Sequence, residues 1–355
     1  MKILIINNAL GYGGAEKQVV VDANSLFNNG HDVTVAYHIS GDLGNLLIKQ
    51  IKKFHLKYSN SILSGFQLFF HLLFNRYDVI HTHQYWASKV GGIPGKITGH
   101  KVIYNEHGLG LWRKWYHIII VRFISMFADK IINSCNATKD VRQKREKINK
   151  EKLMTVYNSF QIEEMMARHQ LINDKRLFSI GFVGRFNHVK RLDIFIELAN
   201  ELKKEIKHFK IILVGDGKEK GRIDELIRIN NLENYFITPG FVTDTASYYK
   251  KFDIFILPSK REAHSVALLE AGANGIPALA FNVGGNSEII VNGKTGYIIP
   301  ECNFTLMFKK IKKLYDLVDF RLEMGEFAKK YVQETFSINK RINNLISLYN
   351  KVLKS

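Results

Sequence analysis

The sequence predicts an α/β protein built of two doubly wound domains in series, and three observations carry that prediction. The chain has 355 residues, which at roughly 100–200 residues per domain fits two domains, each with its own core. Short apolar runs alternate with amphipathic stretches along the whole length, the βαβα pattern of parallel sheets covered by helices. Polar residues of unusual type fall at the ends of the apolar runs, where open α/β sheets gather their ligands. With 46% hydrophobic and 24% charged residues, the composition is that of a folded soluble protein. Five prolines, two cysteines and no repeat argue against collagen, disorder or a disulfide scaffold.

The first set of elements opens with KILIIN (2–7) as a buried strand, followed by a helix from Gly14 to about Asn29 and the strand DVTVAY (32–37). DVIHTH (78–83), KVIYNEH (101–107), KIINSC (130–135) and KLMTVYN (152–158) supply further strands. NSFQIEEMMARHQLINDKR (158–176) lacks an apolar run and reads as the linker region. The second set runs through LFSIGFVGRF (177–186), a helix to Leu202, KIILVGDG (210–217), YFITPGFV (235–242), DIFILPS (253–259), PALAFNVGG (277–285) and GYIIP (296–300). The expected division is 1–165 and 166–337, facing a central cleft, with a last helix over 338–355 packing back on the first domain.

The formal net charge is +18, and residues 96–153 concentrate it, with 13 basic against 5 acidic side chains. In LGLWRKWYHIIIVRFISMFADKII (109–132), Trp112, Trp115 and Tyr116 interleave with Arg113, Lys114 and Arg122. That mixture suits an anionic membrane surface, with rings at headgroup level and cations against lipid. The apolar stretch 46–74 is a second candidate; two core helices with solvated basic faces are the alternative. No nucleic-acid motif accompanies the charge, so nucleic acid is not an expected partner. No apolar stretch approaches the roughly 18–20 residues that span a bilayer. The opening apolar run is too short for a signal peptide, and two distant thiols fit a reducing compartment, so the expected location is cytoplasmic, peripheral on the inner face of the cell membrane.

A dinucleotide fingerprint fails at the first turn. Gly11-Tyr-Gly13-Gly14-Ala-Glu16 puts Glu16 where a small residue must stand, and Tyr37-His38 replaces the acid for a ribose. No Walker A sequence is present. What remains is a Gly13-Gly14 turn whose amides and following helix start can approach an anion. In the second half, GRFNHVKR (184–191) places Arg185 and Lys190 after a strand and near a helix start, a planar fork and a point charge suited to a diphosphate. Glu262 and Glu270 stand eight residues apart, a turn of about 80° on a helix, so they do not share one face. They are poor as a glycosidase pair and fit better as separate acceptors for hydroxyls. His81, His83 and His107 could be read as zinc ligands, but no further cysteine or acid completes a convincing tetrahedral set.

Taken together, GGAEK (13–17), NEHG (105–108), GFVGRF with VKR (181–191), LVGDG (213–217), PGFV (239–242), LPS (257–259), Glu262 with Glu270, GIP (275–277) and GG..EII (284–290) resemble the retaining glycosyltransferases of family 4, over essentially the whole chain. The resemblance implies the GT-B fold, two Rossmann-like domains, with an acceptor-binding first domain and a nucleotide-sugar-binding second one. It implies that Arg185 and Lys190 neutralise the diphosphate, that Glu262 binds donor sugar hydroxyls, and that His107 sits beside the reacting sugar. Gly13, Gly14, Gly215, Phe241, Val242, His264, Ser265, Val266 and Glu270 would complete the donor site, with Glu270 on the ribose and Phe241 and Val242 near the base. Glu16 and His83 would lie on the acceptor side. The implied reaction moves a sugar from a nucleotide diphosphate sugar to a lipid-linked or growing surface glycan, with retention and without a metal or other cofactor.

The sequence departs from that family after Glu262. Ala263-His264-Ser265 stands where the family usually has Gly-Phe-Gly or a close variant. His264 either contacts a donor group absent from simple hexoses or packs under the loop. NSF (158–160) likewise replaces the usual Asn-Gly-hydrophobe. The altered loop leaves a second reading, a catalytically weak nucleotide-sugar or glycan-binding protein on the same fold. A phosphorylase would need a pyridoxal-binding lysine segment, which the sequence lacks.

Overall fold

The computed structural model describes residues 1–11, 13–160, 177–206 and 208–355. The expected linker and the 165/166 boundary fall largely on 161–176, outside the described residues. The chain forms two compact units, Met1–Gln161 with Ser337–Ser355, and Ile162–Phe336.

In the first unit the elements are β1 (Lys2–Ala9), α1 (Gly14–Asn28), β2 (Asp32–Ile39), β3 (Lys52–His55), α2 (Ser61–Phe74), β4 (Val79–His83), α3 (Gln84–Ile97), β5 (Lys101–Glu106), α4 (Trp115–Met126), β6 (Lys130–Asn133), α5 (Asn136–Lys144) and β7 (Leu153–Thr155). They form a seven-stranded sheet in the order β3-β2-β1-β4-β5-β6-β7, parallel throughout. The two-residue period of a strand sorts its side chains between the faces. Ile3 and Ile5 of β1 pack with Val19 and Ala23 of α1, while Leu4 and Ile6 pack with Leu68 and Leu72 of α2 and Val90 of α3. Farther along the sheet, Val102 and Tyr104 of β5 meet Val121 and Ile124 of α4. Helices α2, α3 and α4 therefore cover one face and α1 the other.

The second unit holds β8 (Phe178–Val183), α6 (Asp193–Glu205), β9 (Phe209–Val214), α7 (Lys220–Ile229), β10 (Phe236–Gly240), α8 (Ala246–Tyr249), β11 (Ile254–Leu257), α9 (Val266–Ala273), β12 (Ala278–Phe281), α10 (Asn286–Ile289), β13 (Gly296–Ile299), α11 (Phe304–Asp316) and α12 (Val318–Phe336). Its six parallel strands run β10-β9-β8-β11-β12-β13. The last helix, α13 (Ile338–Lys354), lies in the first unit, where Leu345, Leu348 and Tyr349 join the core beneath α1. Both sheets reverse strand order once, between β1 and β4 and between β8 and β11, which marks where such sheets bind ligands.

Two expectations need correction. The stretch 46–74 is not one helix: Lys52–His55 pairs with β2 as an edge strand, and α2 starts only after Asn60, whose side chain accepts the amides of Ile62 and Leu63. Arg113 precedes α4 and is buried, so it is no interfacial cation. Among the described residues, no helix is long and apolar enough to cross a membrane.

Candidate active site

In the second unit the carboxyl ends of β8, β9 and β10 are stitched together beyond the ladder. Gly184 N donates to Val214 O at 3.0 Å, Gly215 N to Gly240 O at 2.9 Å, and Phe186 N to Asp216 O at 2.8 Å. Gly215 sits at φ +140°, and a Cβ there would overlap the Gly184 carbonyl oxygen, so only glycine permits this approach. The segment after β8 then makes a single helical turn, His188–Lys190, which the Asn187 side chain caps by accepting from the amides of Val189 and Lys190. The turn ends on Arg191 in the left-handed region, held by an ion pair to Asp193 at 2.9 Å.

This turn is fastened to the loop after β11. Lys260 N donates to Val189 O at 2.8 Å, and Lys190 Nζ pairs with Glu262 Oε1 at 2.5 Å. Both side chains are mostly covered, at 19% and 11% exposure, so the pair stands where electrostatic interactions are strong. On its far side the loop is tied by Gly285 N donating to Ala263 O at 2.8 Å. Arg185, in the same β8 segment, is exposed. Sequence reasoning placed Lys190 and Glu262 in separate roles; the structure brings them into direct contact at the β8/β11 switch point.

The remaining second-unit candidates divide by burial. Ser265 stands at the N-cap of α9 and is buried, Val266 opens that helix half-buried, and Phe241 is 48% exposed beside half-buried Val242. Glu270 is buried and accepts from Tyr249 Oη at 2.9 Å. Burial and then the Glu270 charge push the Tyr249 phenol well above its usual range, so it stays a donor. His264 is buried with its ring edge-on to Phe336 at 5.1 Å, which favours the packing reading of this departure from the family pattern.

The first unit gathers its polar candidates at the ends of β1, β4 and β5. Gly13 caps α1 with extended backbone, and Glu16 of the first turn folds back so closely that a Cβ on Gly13 would meet its carboxylate. Gln84 Nε2 donates to Glu16 Oε1 at 3.3 Å, and Gln84 itself sits at φ +70°, a strained conformation directly after His83. Gly14 is exposed at the helix start. His83 Nδ1 and His107 Nε2 are hydrogen-bonded at 2.9 Å, their rings stacked at 5.1 Å. The His81 ring lies tilted against His83 at 4.3 Å, and its Nδ1 is hydrogen-bonded to Tyr349 Oη of α13 at 2.7 Å. His83 is fully buried rather than open at the strand end, and among the described residues no cluster of three or more His, Cys, Asp or Glu has metal-holding geometry.

Burial drives the His81 pKa down to about 3 and that of His107 down to about 4, from the ordinary 6.5, and holds His83 well below it. The stack is therefore neutral at physiological pH. Its pH signature follows from linkage: as pH falls below 6.5 the unfolded chain takes up protons that the native rings refuse. We expect the first unit's denaturant midpoint to be flat above pH 6.5 and to drop steadily below it; a midpoint that stays constant through that window would show the rings protonating in the native state.

Sequence reasoning did not find two buried ionic groups that hold this region. Arg341 of α13 forks onto Asp22 of α1, with both contacts at 2.7 Å, and Gln18 adds a bond to Asp22 at 2.9 Å. Around the loop after β5, Arg113 and Arg142 each bridge Glu106 and Glu146 at 2.5–3.0 Å, while Arg142 and Arg145 also donate to the carbonyls of Gly108 and Gly110. That cluster fixes the loop adjoining His107.

Comparison with known proteins gives the class. Residues 12–164 match the family described as Glycosyltransferase Family 4, and residues 162–331 match Glycosyl transferases group 1. The chain belongs to the family 4 glycosyltransferases. It is 27% identical over 287 residues to a capsular polysaccharide biosynthesis glycosyltransferase, CapM, of Staphylococcus aureus, covering 76% of this chain and 75% of that one. It is 22% identical over 364 residues to the UDP-Gal:alpha-D-GlcNAc-diphosphoundecaprenol alpha-1,3-galactosyltransferase of Escherichia coli, covering 95% and 93%. The fold matches Anabaena HepE in complex with UDP-glucose at a TM-score of 0.87 and 20% identity, over 99% of this chain and all of that one. The two Rossmann-like units are those of a GT-B glycosyltransferase, as the resemblance implied.

Proposed function

We propose that this glycosyltransferase moves a sugar from a nucleotide diphosphate sugar to a lipid-linked or growing surface glycan, with retention of configuration and without a metal ion. The observation that carries the reading is the Lys190–Glu262 pair at the β8/β11 switch point, inside the segment matched to Glycosyl transferases group 1. A diphosphate ester offers Lys190 a stronger anionic partner than Glu262, and the freed carboxylate can then accept from sugar hydroxyls. Arg185 adds a planar fork to the same charge, and Gly215 lets the backbone come close to it. The α9 start at Ser265–Val266 adds amide donors and a favourable dipole. Glu270 serves the ribose, with the Tyr249 hydroxyl holding its orientation.

In the reaction an acceptor hydroxyl attacks the anomeric carbon on the face from which the diphosphate leaves. The carbon–oxygen bond to the diphosphate breaks, the new glycosidic bond forms, and the acceptor proton passes to the departing phosphate oxygen. Lys190 and Arg185 stabilise the charge that grows on that oxygen, the task a divalent cation performs elsewhere. The Gly13–Gly14 turn provides amides to an anionic substrate oxygen, and His107, held neutral by burial, is a hydrogen-bond partner for the sugar. Glu16 and His83 belong to the acceptor side, His83 acting through its bond to His107. The names of CapM and of the galactosyltransferase support a polysaccharide and a lipid-diphosphate acceptor, and an enzyme using such an acceptor works at the inner face of a membrane.

Thermal-shift screening against a panel of nucleotide sugars tests the donor side. Saturation at a hundredfold excess over Kd stabilises a protein by about 2.7 kcal/mol, so one donor should raise the second unit's Tm above the others. A uniform zero shift across UDP-, GDP-, ADP- and CMP-sugars would remove the nucleotide-sugar assignment. The anomeric configuration of the product, read by NMR, and undiminished turnover in a chelator test retention and metal independence.

A further inference from the structure

Helix α2 buries Ser64, Gly65, Leu68 and Leu72 and turns the opposite side outward, and that outer side is apolar. Ile62, Phe66, Phe70 and Phe74 recur every four residues along it, with Phe74 exposed to 85%. Helix α4 does the same, burying Val121 and Ile124 while Trp115, Ile119, Phe123 and Met126 face out, with Trp115 exposed to 73%. A helix on the surface of a soluble protein carries polar residues there. Because α2, α3 and α4 cover the same face of the first sheet, and α3 packs between the other two, both stripes lie on one side of the unit. Patches of this extent mark an interaction surface.

Charge selects the occupant. Residues 43–77 and 107–128 contain no Asp or Glu, while exposed Lys57 and Arg76 flank α2 and exposed Lys114 and Arg122 border α4. A second copy seated face to face would bring basic rim against basic rim. An anionic lipid surface offers the opposite charge to the rim and hydrocarbon to the stripes, with Trp112, Trp115 and Tyr116 at headgroup depth. We propose that the outer faces of α2 and α4 together form a docking surface for an anionic bilayer. This deepens the lipid-linked acceptor reading above and rests on it for its purpose. It draws on both segments expected from sequence, 109–132 and 46–74, but narrows the second to α2 and leaves out Arg113, which is buried.

The test uses the full chain in co-sedimentation with vesicles of equal parts phosphatidylglycerol and phosphatidylcholine, and with phosphatidylcholine alone. Binding should require the anionic lipid, weaken as salt shortens the Debye length, and shift tryptophan emission to the blue. Two double variants, F66E/F70E in α2 and W115E/F123E in α4, should each lower the vesicle partition coefficient at least about tenfold. Their donor-induced thermal shift should match that of the unaltered protein, which confirms folding and separates the two readings. Vesicle binding without any donor response would overturn the proposed function and leave the docking surface standing. Absence of binding to either vesicle, variants that bind as the parent does, or a parent dimer that the same variants dissociate would overturn the docking proposal.

Discussion

Lys190→Ala lowers kcat by on the order of 10²–10³-fold, the loss seen when one preorganised group that stabilises developing transition-state charge is removed. The effect should fall on kcat more than on KM for the donor, because charge on the leaving phosphate grows only as its bond to the sugar breaks. The substitution also strands a mostly covered carboxylate, since Lys190 Nζ is the partner of Glu262 at 2.5 Å. A stability loss of about 1–3 kcal/mol in the second unit accompanies it. Glu262→Gln separates the two effects. It keeps an acceptor for the sugar and removes the stranded charge, so the K190A/E262Q protein should regain stability without regaining turnover. Turnover near the parental value in Lys190→Ala, with the protein folded, would refute the diphosphate role at once. A double variant as unstable as the single one would show that the carboxylate has another cation in reach.

Much of this site was legible because it is built from local features. A glycine after a strand, two cations spaced over one turn and an acid in the loop after another strand are sequence-near signals, and the parallel topology brings their loops to one edge. The elements were equally legible wherever a strand is buried on both faces, as in β1 and β11, since a continuous apolar run then survives. Strand β3 was not. It is a four-residue edge strand carrying two lysines, Lys52 and Lys53, and its neighbours supply enough apolar residues to imitate a helix. Nor could the sequence place the buried polar pairs. Arg113 finds Glu146 at a separation of 33 residues, and Tyr349 finds His81 at 268, distances at which no periodicity informs. Arg113 stands among tryptophans at an apolar helix start, so its local context argued for lipid while its tertiary partners are carboxylates.

Those carboxylates set the second large effect. Arg142 and Arg113 share Glu106 and Glu146 in a cluster with almost no exposure, two cations to two anions. Burial by itself would raise the Glu106 pKa, but Arg142 and Arg113 outweigh it and hold the carboxyl below its ordinary range. Arg142→Ala leaves one cation for two buried anions and also frees the Gly108 carbonyl. We expect a loss of about 3–5 kcal/mol in the first unit, read from denaturant midpoints, with faster proteolysis of the 107–114 loop. Removing Glu146 as well restores the balance of charge, so R142A/E146Q should cost distinctly less than the sum of its parts. The acid limb gives an independent reading. A depressed carboxyl contributes stability that is present above the unfolded value of 4.5 and is lost as pH falls through and below it. In Arg142→Ala that contribution shrinks, so the variant should be most inferior near neutrality and converge on the parent in acid. Additive costs, or a deficit that does not narrow as pH falls, would mean that the four side chains are held by packing rather than by their mutual charge.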